Sequence, residues 1–182
     1  MLAGLSLACL AAACSPAPTP ELTPPPSDAA AAADVEESFA DRLASIHMLL
    51  IEAGAIMKTR ASTHEARTFA MALADEVERE DAALIDAAAR AKAPFATAAP
   101  ASDKLLLVQN LETMDQAGVD LAYLHLAVAA LTDEANLLAS YAKDGQDQAL
   151  RAYAESAAPR ARTRLDSAIA ARDVATAEAP PP

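Results

Sequence analysis

Tryptophan is absent, glycine occurs only four times, and aromatic residues make up 3% of the chain. Runs of β-branched residues are missing too, which excludes a sheet-based core. A hydrophobic interior must therefore be assembled from Leu, Ile, Met and Ala. Basic residues are the next shortage: 14 Lys and Arg stand against 26 Asp and Glu, for a formal net charge of −12. A nucleic-acid partner is excluded on that balance, because the phosphate backbone is held by clustered cations. A polybasic grip on anionic lipid is excluded for the same reason. Only two cysteines occur, Cys9 and Cys14. Both fall in the leading apolar segment, so no internal disulfide can brace a mature domain. Neither Gly-x-Ser-x-Gly nor a Gly-rich phosphate loop is present, which leaves nucleophilic and nucleotide chemistry without a recognisable base. The three residues preceding His47, His64 and His125 by one helical turn are Ala44, Ala61 and Ala122. The Glu-x-x-His pairs of carboxylate-bridged di-metal bundles are thus absent, as is the His-x-x-x-His spacing of zinc helices.

What is abundant is alanine, the residue that loses least on entering a helix. Residues 119–142 form the most regular stretch. Leu121, Leu124, Val128, Leu131, Ala135 and Leu138 follow one another at steps of three and four, which places them on one helical face. His125, Asp133, Glu134 and Asn136 make the run too polar to span a bilayer, so the stripe needs partner helices.

The chain of 182 residues supplies them within one domain and its extensions. Residues 1–14 form a short apolar segment ending Ala12-Ala13-Cys14, as in a secretory signal closed by a lipobox whose Cys14 takes the lipid. Residues 15–33 are a Pro- and Ala-rich tether. The bundle is expected over 34–172, and 173–182 is expected to be a disordered tail. The first helix, 34–60, carries Phe39, Leu43, Ile46, Leu50, Ala53 and Met57 at coiled-coil-like spacing. Thr63 caps a second helix, 64–92, whose stripe Ala70, Leu73, Val77, Leu84, Ala87 and Ala91 is completed by an acid, Glu80. Pro94 stops it. A short helix over 102–113 precedes the third long helix. The last, 147–172, turns Leu150, Tyr153, Ala157, Leu165 and Ala168 inward and is expected to kink at Pro159. The fold class expected is all-α, a ferritin-like four-helix bundle with a short extra helix between the second and third core helices.

The spacing that turns Glu80 inward also brings Arg160 and Arg164 of the last helix near the inward side. An inter-helix ion pair between Glu80 and one of these arginines is expected. Glu76, Glu80 and their acidic neighbours could alternatively form a divalent-cation site with His47 or His125, since carboxylates suit hard cations. Iron or another divalent metal would then be the cofactor; otherwise none is expected. His47 and His125 sit at the edges of core stripes, and His64 lies at a helix start.

The order and spacing of Glu52-x-Gly54, Phe69-Ala70, Leu84, Gly118-Val119-Asp120-x-x-Tyr123, Ala154 and Pro159 resemble a bacterial family of secreted ferritin-like bundles, domain of unknown function 4142. The resemblance runs from Phe39 to about Leu165 and implies a secreted bundle with four core helices. It implies no established activity. Where that family usually has Asp-His in the second helix, this chain has Glu76-Val77. Leu131 and Arg164 stand where His is usual, and Leu50 where an inward Glu is usual. The chain has thus lost, or never had, the family's ligand positions.

Two readings follow. The first is a lipoprotein of the bacterial envelope, anchored through Cys14 in the periplasm at the outer membrane. Its bundle would be non-catalytic and contact other envelope proteins or itself. The second is a metal-binding ferritin-like protein, a cation binder or oxidoreductase, with a modified site.

Overall fold

A computed structural model of the protein describes residues 38–93 and 102–178. The expected signal segment, Cys14, the tether, residues 34–37 of the expected first helix and the loop around Pro94 lie outside the described residues. Five helices follow in order: α1 (Phe39–Arg60), α2 (His64–Ala91), α3 (Ser102–Thr113), α4 (Val119–Asp144) and α5 (Gln148–Glu178).

Local chemistry sets their limits. The Ser38 hydroxyl accepts from the Asp41 amide and caps α1. The Thr63 hydroxyl accepts from the Ala66 amide and caps α2. The Asp147 carboxylate accepts from the amides of Ala149 and Leu150 and opens α5. α2 ends one residue short of the expected boundary. Lys92 there adopts the left-handed conformation, φ 52°, and its amide reaches back to the carbonyls of Ala88 and Ala89.

The expected disordered tail is corrected at its start, because α5 continues to Glu178 rather than ending at Arg172. Asp, Val, Ala, Thr and Glu fill 173–178 with neither Pro nor Gly to break the helix, and the Thr176 hydroxyl donates to the Arg172 carbonyl. The first Pro beyond Arg172 is residue 180. α5 is also helical through Pro159, which is exposed. The hydrogen bond its missing N–H cannot make lies on the solvent side, where water can replace it.

The four long helices pack as a closed ring in the order α1, α2, α5, α4, and α3 rests on α1 and α4 outside it. Short turns join α1 to α2 and α4 to α5, and one long connection carrying α3 joins α2 to α4. This is a four-helix bundle with ferritin-like connectivity. α1 and α4 run antiparallel. Phe39 at the start of α1 stacks on Tyr141 near the end of α4, with ring centroids 3.9 Å apart. At the other end, Asp120 of α4 accepts from Ser62 and Thr63 just beyond α1.

Leu43, Leu50, Met57, Leu84, Leu131 and Leu138 are among the fully buried side chains. Alanines between them let the helices approach. One close approach is at Gly54 of α1, where a β-carbon would lie 2.7 Å from that of Ala74 on α2. The inward face of α4 is turned from the expected stripe. Leu121 and Val128 are only half-buried, while Tyr123, Ala127 and Glu134 join Leu131 and Leu138 inside. The reason is that α4 contacts α1, α5 and α3 at once, so its buried arc is broader than a single seam.

Candidate functional site

At mid-height the apolar interior gives way to charge. Each long helix contributes. His47 of α1, Glu80 of α2, Glu134 of α4 and Arg164 of α5 are all buried. Asp81 and the largely exposed Arg160 close the group at its edges.

Glu80 is the hub on one side. Its carboxylate takes a two-pronged contact from Arg160, with Nε 2.5 Å from Oε1 and Nη2 3.0 Å from Oε2. Arg164 reaches the same Oε1 through Nη1 at 3.5 Å and Glu134 Oε1 through Nη2 at 2.5 Å. One guanidinium thus bridges carboxylates from two helices that face each other across the ring. On the other side His47 lies between acids. Its Nδ1 is 3.1 Å from Asp81 Oδ1, and its Nε2 is 3.6 Å from Glu134 Oε1. The first distance is a hydrogen bond; the second is a charge contact. The Tyr153 hydroxyl donates to the Glu80 carbonyl at 3.2 Å and fixes α5 against α2.

Three carboxylates face two guanidiniums and one imidazole, so the group is neutral when His47 carries a proton. Burial opposes that charge, but Asp81 and Glu134 outweigh it and raise the His47 pKa above the ordinary histidine value. Burial also opposes ionisation of Glu80, and the two arginines outweigh it and lower its pKa. Glu80 in turn raises Arg160. Burial, reinforced by Glu80 and Glu134, pushes the Tyr153 phenol upward and keeps it neutral.

Glu80, Arg160 and Arg164 therefore meet in the structure, with His47 joined to them through Glu134. Glu76 is exposed one turn before Glu80, and His125 is exposed on the outer edge of α4. Neither belongs to the buried group. A bundle metal centre needs converging carboxylate and imidazole donors around a free position. Here the Arg164 guanidinium, a fixed cation, stands between Glu80 and Glu134, so these residues do not fit such a centre. Among the described residues, no three His, Cys, Asp or Glu side chains come together as a metal site.

Glu134 and Asp81 are members of the site that the expected ion pair does not include. Glu134 carried a readable signal: it lies three residues after Leu131 and four before Leu138, on the same inward row as Ala127. Asp81 carried none, since its role comes from the neighbouring helix.

The fold and site define an all-helical, ferritin-like bundle closed by a buried ion-pair network. Residues 21–171 match the family described as Domain of unknown function (DUF4142), and the chain belongs to that family. No curated protein matches it, and no solved structure does.

Proposed function

We propose that the protein is a cell-envelope lipoprotein whose bundle is a non-catalytic structural or interaction domain. The observation that carries this reading is Arg164, bridging Glu80 and Glu134 where a ferritin-like metal centre would place a cation. An arginine cannot leave or change oxidation state, so the network holds four helices in register without supplying a reactive group. The apolar segment ending in Cys14 and the Pro-rich stretch after it support a lipid anchor and tether. No helix among the described residues is long and apolar enough to cross a membrane. In this reading the anchor is the lipid on Cys14, in the periplasm and at the outer membrane, with envelope proteins or a second copy as partners.

The first test is metal content. The chain from Ser15 onward, purified without a His tag, is offered Fe(II), Mn(II) and Zn(II) in turn. No stoichiometric retention is expected. Retention that disappears in Glu80→Ala would instead establish a metal-binding protein. The second test is labelling with a radioactive fatty acid in a bacterial host: the wild-type chain takes up label and Cys14→Ser does not.

A further inference from the structure

We propose that the groove between α1, α3 and α4 is a binding site for a single-chain aliphatic amphiphile with a cationic head. Its volume is about 540 Å³, within the range of small-ligand pockets. Ile46 and Leu49 of α1, Leu107 and Leu111 of α3, Met114 just beyond it, and Leu126 of α4 form its walls. Apart from the His125 imidazole at the rim, no aromatic side chain among the described residues lines it, so a planar ring finds no wall to stack on. A flexible hydrocarbon chain suits walls of branched aliphatics and a methionine, which adapt to its shape.

The groove is also open to an arriving chain. α3 lies outside the ring of long helices and is tied near its end, where the Gln116 side-chain amide donates to the Arg60 carbonyl at 2.8 Å. Toward its start, Leu105, Leu106 and Leu107 remain exposed, Leu106 by 60%. These leucines extend the apolar surface from the groove onto the outside of α3. A cluster of that kind on an otherwise acidic molecule marks a contact site rather than a solvated face.

The rim chooses the head group. Along α4, His125, Ala129 and Asp133 succeed one another at four-residue steps and form the outer edge of the groove. Asn110 faces them from α3. Among the described residues, Asp133 is the only acidic or basic side chain of the lining apart from His125, and no ion pair engages it. A carboxylate head would meet Asp133 and a protein of net charge −12. An ammonium head is attracted by both.

The test is calorimetric titration of the full chain with dodecylamine, and separately with dodecanoate, below their micelle concentrations. One dodecylamine is expected to bind per chain, more tightly than dodecanoate. Asp133→Asn is expected to weaken dodecylamine by about two- to fivefold, the measured range for an exposed ion pair. Ala129→Trp fills the groove from an exposed position, so it folds as the wild type does and is expected to abolish binding. The proposal is overturned if dodecanoate binds as tightly as dodecylamine, or if dodecylamine binding survives Ala129→Trp. It is equally overturned if sedimentation shows that the wild type pairs through this groove and Ala129→Trp makes it monomeric, since the occupant is then a second copy.

Discussion

Arg164 and Glu134 form a buried ion pair, 2.5 Å from Nη2 to Oε1, between two helices that adjoin each other in the bundle. Arg164 cannot be removed without leaving Glu134 beside His47 alone, whereas Glu80 keeps Arg160. Breaking one side of such a pair costs about 3–5 kcal/mol, while replacing both sides by apolar groups is near neutral. Arg164→Leu should therefore destabilise strongly, and Arg164→Leu with Glu134→Leu should recover most of the loss. Urea midpoints at unchanged slope measure it. Additive losses would show that the two residues act independently.

The same group makes stability depend on pH from both sides. His47 is raised from 6.5, so its contribution is complete below 6.5 and is lost as pH rises through its folded value. Glu80 is lowered from 4.5, so its contribution is complete above 4.5 and is lost as pH falls through its folded value. Asp120 behaves as Glu80 does, from 3.8. Greatest stability is expected between 4.5 and 6.5. Denaturation midpoints across that range and beyond it, in wild type and His47→Gln, decide the matter. The variant should lose the alkaline decline, and substitution of exposed His64 or His125 should not affect it. An alkaline decline that persists in His47→Gln would assign it to another group.

Much of this fold was legible in the sequence because alanine and the three-four spacing of leucines leave helices no competitor. All six expected core positions of α1, from Phe39 to Met57, are buried. Glu80 could be read as inward because it fills the one gap in the α2 stripe. His47 could be placed only at the edge of its stripe, yet it is fully buried, because α1 is covered from three sides by α2, α4 and α3. Periodicity assigns a residue to a face; it does not say how many neighbours cover that face. The meeting of His47 with Asp81 and of Arg164 with Glu134 depends on the relative heights of separate helices, which no spacing along one helix encodes.

Gly54 offers a test of helix approach. A β-carbon there would lie 2.7 Å from the Ala74 β-carbon and 3.1 Å from the Ala70 carbonyl oxygen. Gly54→Ala gains helix propensity of about 1 kcal/mol, but overpacking of a tight contact costs about 1–3 kcal/mol. The second effect wins because the nearest obstacles are a short side chain and backbone, neither of which can swing aside. A net loss in thermal midpoint is expected. Adding Ala74→Gly should return part of it, although Ala74→Gly alone destabilises. Failure of the second change to relieve the first would place the strain at the Ala70 carbonyl.

Asp120 ties the turn between α1 and α2 to the start of α4. Its Oδ1 accepts from the Ser62 amide at 2.9 Å. Its Oδ2 accepts from the Ser62 hydroxyl at 2.7 Å, the Thr63 amide at 2.9 Å and the Thr63 hydroxyl at 2.8 Å. These bonds outweigh the cost of burial and hold the carboxyl below its ordinary range. Bonds to a charged group contribute about 1.5–3 kcal/mol each when measured singly, but four donors on one carboxylate are not additive. Asp120→Ala should therefore cost about 2–4 kcal/mol, with Asp120→Asn between it and wild type, since an amide keeps one acceptor oxygen. Hydrogen exchange at the Ser62 and Thr63 amides separates this local role from a general loss of packing. Both amides should exchange much faster in Asp120→Ala, while amides at the centre of α4 should follow only the change in global stability. Equal acceleration at both places would mean that Asp120 supports the bundle as a whole rather than its end.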